Sequence, residues 1–300
     1  MQVLKEMANE LALSEEYITK FSRRTFVAYK QYKKKCKNGK KRTICEPSAE
    51  LKLLQYWVMD NVLNRFPVSE YCTAYEKKCS VKKNAYKHCR AKYIFHTDIK
   101  NFFESIPSVF VYKLFMQQYS AEETDFLMDI VLRNGKMVVG SITAPKLANC
   151  IMYQFDKEIE KELQKIQKIT YTRYADDITI SSDSWIQPDV YECIKTKLQS
   201  MGLQINEKKT YYANKSKQRV VTGVVIDNNN NSLSIGWRKY KQLKGEVYKF
   251  LVYDEVAESK LSGKDKLIGK LAYLKSIDPN RYQSLKTAFK KYKNFERLFY

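Results

Sequence analysis

The alternation of apolar and polar residues divides the chain into stretches with the period of helices and stretches with the period of strands. The N-terminal third is mostly helical in pattern, with an amphipathic helix predicted after Pro47-Ser48. Residues 92–103 predict a buried strand that leads into a helix, and KMVVG at 136–140 predicts another strand. A single helix is predicted over 145–166, with a proline at its start.

The second half alternates strands and helices before it becomes helical throughout. Its predicted elements are a strand on each side of Asp176-Asp177, a helix over 189–201 and strands over 203–212 and 219–235. Within the last range, DNNNNS at 227–232 predicts a surface turn between the strands VVTGVVI and SLSI. From Trp237 onward the pattern is helical and basic, which indicates a separate helical domain suited to lie along a nucleic-acid duplex.

Residues 29–42 predict a hairpin with a basic tip. Asn38-Gly39 is a hairpin-turn signal, and the stretch has eight Lys or Arg residues from Lys30 to Arg42. A solvated run of charge, with no binding role, explains the same residues equally well.

The charge balance indicates a polyanionic partner. The 300 residues include 54 basic and 33 acidic side chains, a formal net charge of +21, together with 23 tyrosines. Basic and aromatic side chains together suit nucleic acid, because charges contact phosphates and rings stack on bases, and such binding should weaken with salt. No apolar run approaches the roughly 18 residues that span a bilayer, so no membrane partner is expected.

The cysteines and the N-terminus favour a cytoplasmic protein. The seven cysteines never form a CxxC pair, which argues against a zinc site and against a secreted disulfide framework. The first residues are interspersed with acids and lack the apolar stretch of a signal peptide.

Asp176 and Asp177 stand side by side within the strand-like stretch YTRYADDITISS. Adjacent carboxylates repel each other, and a divalent cation such as Mg²⁺ removes that penalty. A third acid is expected from elsewhere, and Asp98, at the end of YIFHTDI, is the obvious candidate. Three carboxylates around two Mg²⁺ ions are the apparatus of phosphoryl transfer. Most isolated Asp-Asp pairs, however, are turn residues or helix caps.

The flanking residues resolve this, because the chain resembles the reverse transcriptases. YADD followed by ITIS looks like the catalytic hairpin of that family. The other blocks of the family appear in order, as RTICEPSAELKLLQYWV (42–58), DIKNFFESI (98–106), GSITAPKLAN (140–149) and GLQINEKKT (202–210). The resemblance covers about residues 40–235. NAYKH at 84–88 and VTG at 221–223 are similar to motifs of the bacterial retron reverse transcriptases.

The resemblance implies an α+β fold with the right-hand architecture of polymerases. Residues 1–92 would form N-terminal helices and fingers, and residues 93–235 a palm built on an antiparallel sheet with helices. Residues of about 108–139 would be an intervening fingers segment, and 236–300 a helical thumb that grips the RNA–DNA duplex.

The resemblance also implies the catalytic residues. Asp98, Asp176 and Asp177 would bind two Mg²⁺ ions, for which Mn²⁺ can substitute, with the carbonyl of Ile99 as a further ligand. Lys209 would stand near the leaving pyrophosphate, although Lys208 beside it fits nearly as well.

Three further residues are implied in nucleotide binding. Arg42 would grip the triphosphate, unless it is one more charge of the basic hairpin. Phe103 would exclude a 2′-hydroxyl and favour deoxynucleotides, although one residue of the adjacent pair Phe102 and Phe103 is expected to be core. Gly140 would allow the nucleotide and template backbone to approach closely. The chain departs from the family pattern around this glycine, since Val139 and Ala144 replace the usual Gln and Ser.

RNA binding is implied for the two retron-like motifs. Asn84 and His88 would belong to an insertion that holds RNA, although a buried, hydrogen-bonded histidine fits equally well. Val221, Thr222 and Gly223 would contact the stem of the cognate RNA, or hold a purely structural position.

The function implied is that of a retron enzyme. Such an enzyme copies a cognate structured non-coding RNA into multicopy single-stranded DNA, using dNTPs and priming from a 2′-hydroxyl of that RNA. A role in antiphage defence, with an effector protein of the same operon, is also implied. The alternatives are another small bacterial reverse transcriptase, of the abortive-infection or diversity-generating type, and a catalytically idle RNA-binding scaffold.

Overall fold

A computed structural model describes residues 1–35, 39, 41–253 and 261–299 of the chain. The chain divides into two compact units. The first comprises residues 1–78, 96–180 and 186–211, and the second comprises 79–95, 181–185 and the described part of 212–300. Among the described helices, none combines the length and apolar character needed to cross a membrane.

The helices and strands follow one another in a mixed order along the chain. The helices are α1 (Gln2–Leu11), α2 (Glu15–Ser22), α3 (Ala49–Asn61), α4 (Val81–His88), α5 (Phe102–Ser105), α6 (Ser108–Phe115), α7 (Ala121–Val131), α8 (Ala144–Ile151), α9 (Tyr153–Ile166), α10 (Pro188–Ser200), α11 (Trp237–Tyr253), α12 (Leu261–Ile277), α13 (Pro279–Phe289) and α14 (Glu296–Phe299). The strands are β1 (Tyr29–Lys35), β2 (Lys41–Pro47), β3 (Tyr93–Asp98), β4 (Thr170–Tyr174), β5 (Asp177–Ser182), β6 (Tyr211–Asn214), β7 (Arg219–Val221), β8 (Val224–Ile226) and β9 (Leu233–Ser234).

Serine side chains fix the starts of several helices in the first unit. Ser48 accepts a hydrogen bond from the Leu51 amide and so begins α3, which confirms the helix predicted after Pro47-Ser48. Ser120 and Glu123 form a reciprocal capping box at the start of α7.

The predicted basic hairpin is present. Strands β1 and β2 pair antiparallel, from Tyr29 opposite Pro47 to Lys35 opposite Lys41. The tip that contains Asn38 lies partly outside the described residues.

A four-stranded sheet in the order β4-β5-β3-β6 places the acidic residues. The two residues between β4 and β5 are Ala175, in the left-handed region with φ 57°, and Asp176. This tight turn confirms the predicted strand on each side of the acidic pair. Since β3 is the neighbour of β5, the end of β3 at Asp98 comes next to the turn.

Two predicted elements of the first unit are wrong. Residues 136–140 do not form a strand: an isolated bridge joins Arg133 and Lys136, and the chain then continues without regular structure, with Met137 and Val138 buried and Gly140 exposed. The helix predicted over 145–166 is two helices, because Met152 has a ψ of 0° and interrupts the helical path. The apolar periodicity continues through this break, so the pattern alone does not reveal it.

Two predicted strands in the second half are also wrong in extent. The segment before Tyr211 lacks a named strand, and Glu207–Lys209 is a 3₁₀ turn. VVTGVVI is a hairpin rather than one strand, because Thr222 and Gly223 both have positive φ angles, of 47° and 78°. Two central residues with positive φ make the tight turn that matches the twist of paired strands.

The second unit packs a three-stranded sheet and helices around its own core. The strands have the order β7-β8-β9, and the predicted helical pattern after Trp237 is confirmed by α11 to α14. Its buried apolar residues include Ala85, Ile94, Val221, Val224, Ile226, Leu243, Val247, Leu271, Leu274 and Leu285.

A fully buried arginine holds the loop that precedes β9. The Arg219 guanidinium donates to Asn228 Oδ1 at 2.8 Å, to Asn231 Oδ1 at 3.0 Å and to the Asp227 carbonyl at 3.2 Å. It also donates to the carbonyls of Cys89 and Ala91. These oxygens together take up the guanidinium's hydrogen-bonding capacity.

Candidate active site

Three carboxylates converge at one edge of the four-stranded sheet. Asp98 ends β3 and is only 2% exposed, Asp176 lies in the turn after β4, and Asp177 begins β5. One carboxylate oxygen from each lies within 4.8 Å of the others, which is close enough for a shared metal ion. The expected meeting of Asp98 with the acidic pair is therefore present in the fold.

Main-chain hydrogen bonds fix this convergence. The Ile99 amide donates to the Asp176 carbonyl at 2.9 Å, and the Asn206 amide donates to the Asp98 carbonyl at 2.7 Å. The first bond holds the backbone of Ile99 against the acidic turn, where its carbonyl was expected to act.

Two side chains from the segment after α10 contact Asp98. Asn206 Nδ2 donates to Oδ1 at 2.9 Å, and Lys209 Nζ donates to Oδ2 at 2.5 Å. Of the two adjacent lysines, Lys209 is therefore the one that reaches the carboxylates. Asn206 was missed by the sequence analysis, although it lies within the same GLQINEKKT block.

Burial and the neighbouring carboxylates disfavour the charged forms of Asp176 and Asp177. Burial, followed by the charge of Asp98, raises the pKa of Asp176 to about 6. Burial, followed by the charges of Asp176 and Asp98, raises the pKa of Asp177 to about 7. Like charges in a partly dry site behave in this way, and a bound cation would relieve the repulsion.

His96 is a second contact that sequence reasoning missed. Its Nε2 lies 3.6 Å from Asp177 Oδ1, and its ring lies 5.0 Å from the ring of Tyr211. Burial lowers the pKa of His96 to about 4, so the imidazole is neutral at neutral pH. Its position two residues before Asp98 on one strand, and hence on the same face, was the available signal.

A buried ion pair supports the acidic turn from behind. Arg173 is fully buried and donates from Nε and Nη2 to the two carboxylate oxygens of Asp156, each at 2.8 Å. Its Nη1 donates to the Ala175 carbonyl at 3.2 Å and to Asn149 Oδ1 at 3.3 Å. The turn that carries Asp176 is thus held through Ala175.

Arg42 lies on strand β2, and Gly140 packs against the backbone of the same strand. Arg42 is exposed and lies opposite Lys34 on the basic hairpin. Gly140 has a φ of 111°, and a Cβ at this position would come within 2.5 Å of the Cys45 carbonyl oxygen. The Cys45 amide donates to the Val139 carbonyl at 2.8 Å, so the backbone before Gly140 is bound to β2.

The two phenylalanines after Asp98 have different environments. Phe102 is 5% exposed, whereas Phe103 is half-buried, and their ring centroids are 5.4 Å apart. Phe103 is therefore the one of the pair with a surface open to a ligand.

The retron-like motifs come together in the second unit. Asn84 Nδ2 donates to Thr222 Oγ1 at 3.0 Å, and His88 Nδ1 lies 2.8 Å from Ser181 Oγ. Asn84, His88 and Val221 are completely buried, whereas Thr222 is half-buried and Gly223 is exposed. Burial lowers the pKa of His88 to about 3, so it is a neutral hydrogen-bonding group.

Comparisons with known proteins identify a family for this chain. A family model described as reverse transcriptase (RNA-dependent DNA polymerase) matches residues 32–226. The chain is 30% identical over 295 residues to the retron Ec86 reverse transcriptase of Escherichia coli, covering 97% of this chain and 89% of that protein. It is 31% identical over 267 residues to the retron Ec73 reverse transcriptase of the same organism, covering 83% of each.

Solved structures give a looser likeness. Telomerase from Candida albicans, in complex with a fragment of telomeric RNA, overlaps 86% of this chain and 54% of that chain. The TM-score is 0.46 and the sequence identity is 12%.

Proposed function

Because the chain belongs to the retron reverse transcriptases and is an RNA-directed DNA polymerase, we propose that Asp98, Asp176 and Asp177 form its catalytic centre. The observation that carries this proposal is the convergence of their carboxylate oxygens within 4.8 Å. Three buried or half-buried acids at such distances need a compensating positive charge, and Lys209 contacts only Asp98 among them.

The residues present fit two Mg²⁺ ions, with Mn²⁺ as a substitute. All the candidate ligands are oxygens, from the three carboxylates and the Ile99 carbonyl, and hard cations prefer such ligands. When bound, the ions would supply activation of the attacking hydroxyl and neutralisation of the leaving pyrophosphate. The protein's own part is to hold the acids in place, through Ile99, Asn206 and the buried Arg173.

Four further residues are assigned to the nucleotide. Arg42 would bind the triphosphate through its planar guanidinium, and Lys209 would provide a proton or a positive charge at the leaving pyrophosphate. Phe103 would lie against the sugar and exclude a 2′-hydroxyl. Gly140 would leave room for the nucleotide and the template backbone.

We propose that the turn at Thr222-Gly223 contacts the cognate RNA, with the NAYKH motif as its support. Asn84, His88 and Val221 are fully buried, so their part would be to hold the turn rather than to touch RNA directly. The hydrogen bond between Asn84 and Thr222 supports this division of roles. The exposed Gly223 offers a close approach to a phosphate or a 2′-hydroxyl.

The polymerase subdivision is proposed with the boundaries given by the sequence. Residues 1–92 would supply the N-terminal helices and fingers, 93–235 the palm with a fingers segment at about 108–139, and 236–300 the thumb. The basic helices after Trp237 support the assignment of a duplex-binding thumb.

The product and partners are those of a retron. The enzyme would copy a cognate structured RNA with dNTPs, prime from a 2′-hydroxyl and leave multicopy single-stranded DNA joined to RNA in the cytoplasm. A role in antiphage defence with an effector protein from the same operon is part of this proposal. Recovery of one defined RNA–DNA species with the purified protein would support it, whereas recovery of unrelated RNAs would contradict it.

The catalytic proposal is tested with labelled dNTPs on a primed RNA in the presence of Mg²⁺. We expect the variant Asp176→Asn/Asp177→Asn to lose incorporation. The matched control is Asp183→Asn, which changes an exposed aspartate a few residues along the chain, and it should retain the wild-type rate. Equal incorporation by the wild type and the double variant would overturn the proposal.

A further inference from the structure

Residues 71–78 form a segment, here called the tyrosine strap, that is fixed on both sides of one exposed ring. The Thr73 amide donates to the Arg173 carbonyl at 2.8 Å, and Asn149 Nδ2 donates to the Ala74 carbonyl at 2.9 Å. On the other side, Lys146 Nζ donates to Glu76 Oε2 at 2.9 Å. Tyr75 is nevertheless 54% exposed, next to Ala74 at 1%.

The backbone of Tyr75 is in an unfavourable conformation. Its φ is +61°, in the left-handed region that bulky residues rarely adopt. The anchors at Ala74 and Glu76 hold this conformation, and a glycine would adopt it at no steric cost. A strained residue whose ring fills no core position suggests that the ring serves a ligand.

The tyrosine strap shares its hydrogen-bonding partners with the acidic turn of Ala175 and Asp176. Asn149 bonds both the Ala74 carbonyl and Arg173, and Arg173 in turn bonds the Ala175 carbonyl. Tyr75 therefore follows directly after a residue that is tied to the turn bearing Asp176.

Electrostatics agree with this placement. Partial desolvation raises the pKa of the Tyr75 hydroxyl, the charge of Asp176 raises it further and the charge of Arg42 lowers it. The ring is consequently within the field of both the proposed metal-binding acids and the proposed triphosphate-binding arginine.

We propose that Tyr75 is a nucleobase-stacking residue at the polymerase centre. This rests on the proposed catalytic site, because the base would be one brought there for the reaction. An uncharged aromatic face beside carboxylates suits a base rather than a phosphate, and stacking tolerates every base. The base belongs either to the incoming nucleotide or to the primer–template, and the two sources give different kinetic signatures.

The test compares Tyr75→Phe, Tyr75→Ala and Tyr75→Gly with the wild type, and Tyr56→Ala serves as a matched control. Tyr56 is 49% exposed on α3 and has no assigned role. We expect Phe to stay within about 2-fold of the wild type in kcat/KM, and Ala and Gly to lose about 10-fold or more. A higher KM for dNTPs would identify the incoming base, and a higher Kd for primer–template would identify a base of the duplex.

The glycine variant separates stacking from folding. Because it relieves the backbone strain, its thermal stability should equal or exceed that of the wild type while its activity falls. Wild-type kcat/KM and Kd in both Tyr75→Ala and Tyr75→Gly would overturn the inference, as would an equal loss in Tyr75→Phe. If Asp176→Asn abolished extension while Tyr75→Ala did not, stacking would be rejected and the catalytic proposal would stand. The primer–template Kd is read without turnover, so it tests Tyr75 even if the catalytic proposal fails.

Discussion

Lys209 donates a hydrogen bond from Nζ to Oδ2 of Asp98 at 2.5 Å, across 111 positions of sequence. Burial lowers the pKa of Lys209, but the hydrogen bond with Asp98 and the charge of that carboxylate outweigh it, so the net shift is upward. The amine is therefore a cation that balances part of the negative charge of the three aspartates, as its proposed role at the leaving pyrophosphate requires.

Replacement of this lysine should slow catalysis. We expect Lys209→Met to lower kcat by about 100-fold, the range of general acid catalysis, with a smaller effect on the KM for dNTPs. Lys208→Met removes the same charge from the adjacent, exposed position, and it should stay close to the wild type. Single-turnover extension of a primed RNA measures both variants. Equal losses would show that Lys209 contributes only a positive charge and has no specific role in the reaction.

The stability of the metal-free protein should fall as the pH rises from about 4 to about 7. Asp176 and Asp177 have pKa values of about 6 and about 7 in the fold, against about 3.9 when unfolded. In this window the folded state binds more protons than the unfolded state, so folding is favoured at the acidic end, by about 1.4 kcal/mol for each unit by which the fold raises a pKa.

Millimolar Mg²⁺ should reverse that trend, because metal binding requires the charged carboxylates. Thermal unfolding at pH 5 and pH 8, with EDTA or with Mg²⁺, measures the effect. Asp177→Asn should flatten the pH dependence in EDTA and reduce the gain from Mg²⁺ at pH 8. A wild-type stability in EDTA that rises steadily with pH would contradict the assignment.

Variants of Phe103 and Phe102 should have different effects, the first on the choice of sugar and the second on the stability of the fold. Phe103→Val is expected to reduce the preference for dNTPs over rNTPs by about 10-fold or more, since it removes bulk from a half-buried position shortly after the end of β3 at Asp98. Phe102→Ala should instead destabilise the fold by about 3 kcal/mol, because that ring is buried. Competition between dNTP and rNTP incorporation, together with thermal unfolding, tests both. If Phe102→Ala relaxed the sugar preference and Phe103→Val did not, the two roles would have to be exchanged.

Gly140 should not tolerate a methyl group. In Gly140→Ala the new Cβ would lie 2.5 Å from the Cys45 carbonyl oxygen, which is a steric clash. The positive φ adds a second cost, because alanine rarely adopts it. Gly135→Ala is the matched control, since its φ is +70° and no atom lies within 4 Å of its Cβ position. We expect a loss of about 1 kcal/mol for Gly135→Ala and clearly more for Gly140→Ala, measured by denaturant unfolding. Equal losses would show that β2 can yield to the added methyl.

The turn at Thr222-Gly223, proposed to contact RNA, should depend on Asn84 and Thr222 as a pair. Asn84→Ala and Thr222→Val each break the 3.0 Å hydrogen bond, and each should weaken binding of the cognate RNA. The double variant should lose less than the sum of the single losses, because both remove the same contact. Filter binding with the cognate RNA and an unrelated hairpin measures this, and strictly additive losses would contradict the proposed support role.

The sequence was sufficient to predict the three acids of the site but not the residues that contact them. Asp98 and the Asp176-Asp177 pair lie in blocks with recognisable local patterns, and the strand and turn signals placed them correctly. His96 and Asn206 contact these acids only because β3 has particular neighbours in the sheet, which local periodicity does not encode. The same holds for the contact between Asn84 and Thr222, which are 138 positions apart.

The errors in secondary structure have a common physical origin. The apolar pattern is continuous across Met152 and across Thr222-Gly223, because buried residues lie on both sides of each break. Backbone dihedral angles interrupt the elements there, and a threonine with positive φ gives no warning in sequence.

The run of asparagines before β9 has the sequence of an unconstrained surface turn, yet two of its side chains bind a buried arginine. Asn228 and Asn231 are among the groups that accept hydrogen bonds from the buried Arg219 guanidinium. Shortening this loop, or exchanging those two amides for serines, would strand a cation in the interior. The sequence of the loop at 227–232 is therefore constrained by Arg219, which lies on the far side of the β7–β8 hairpin.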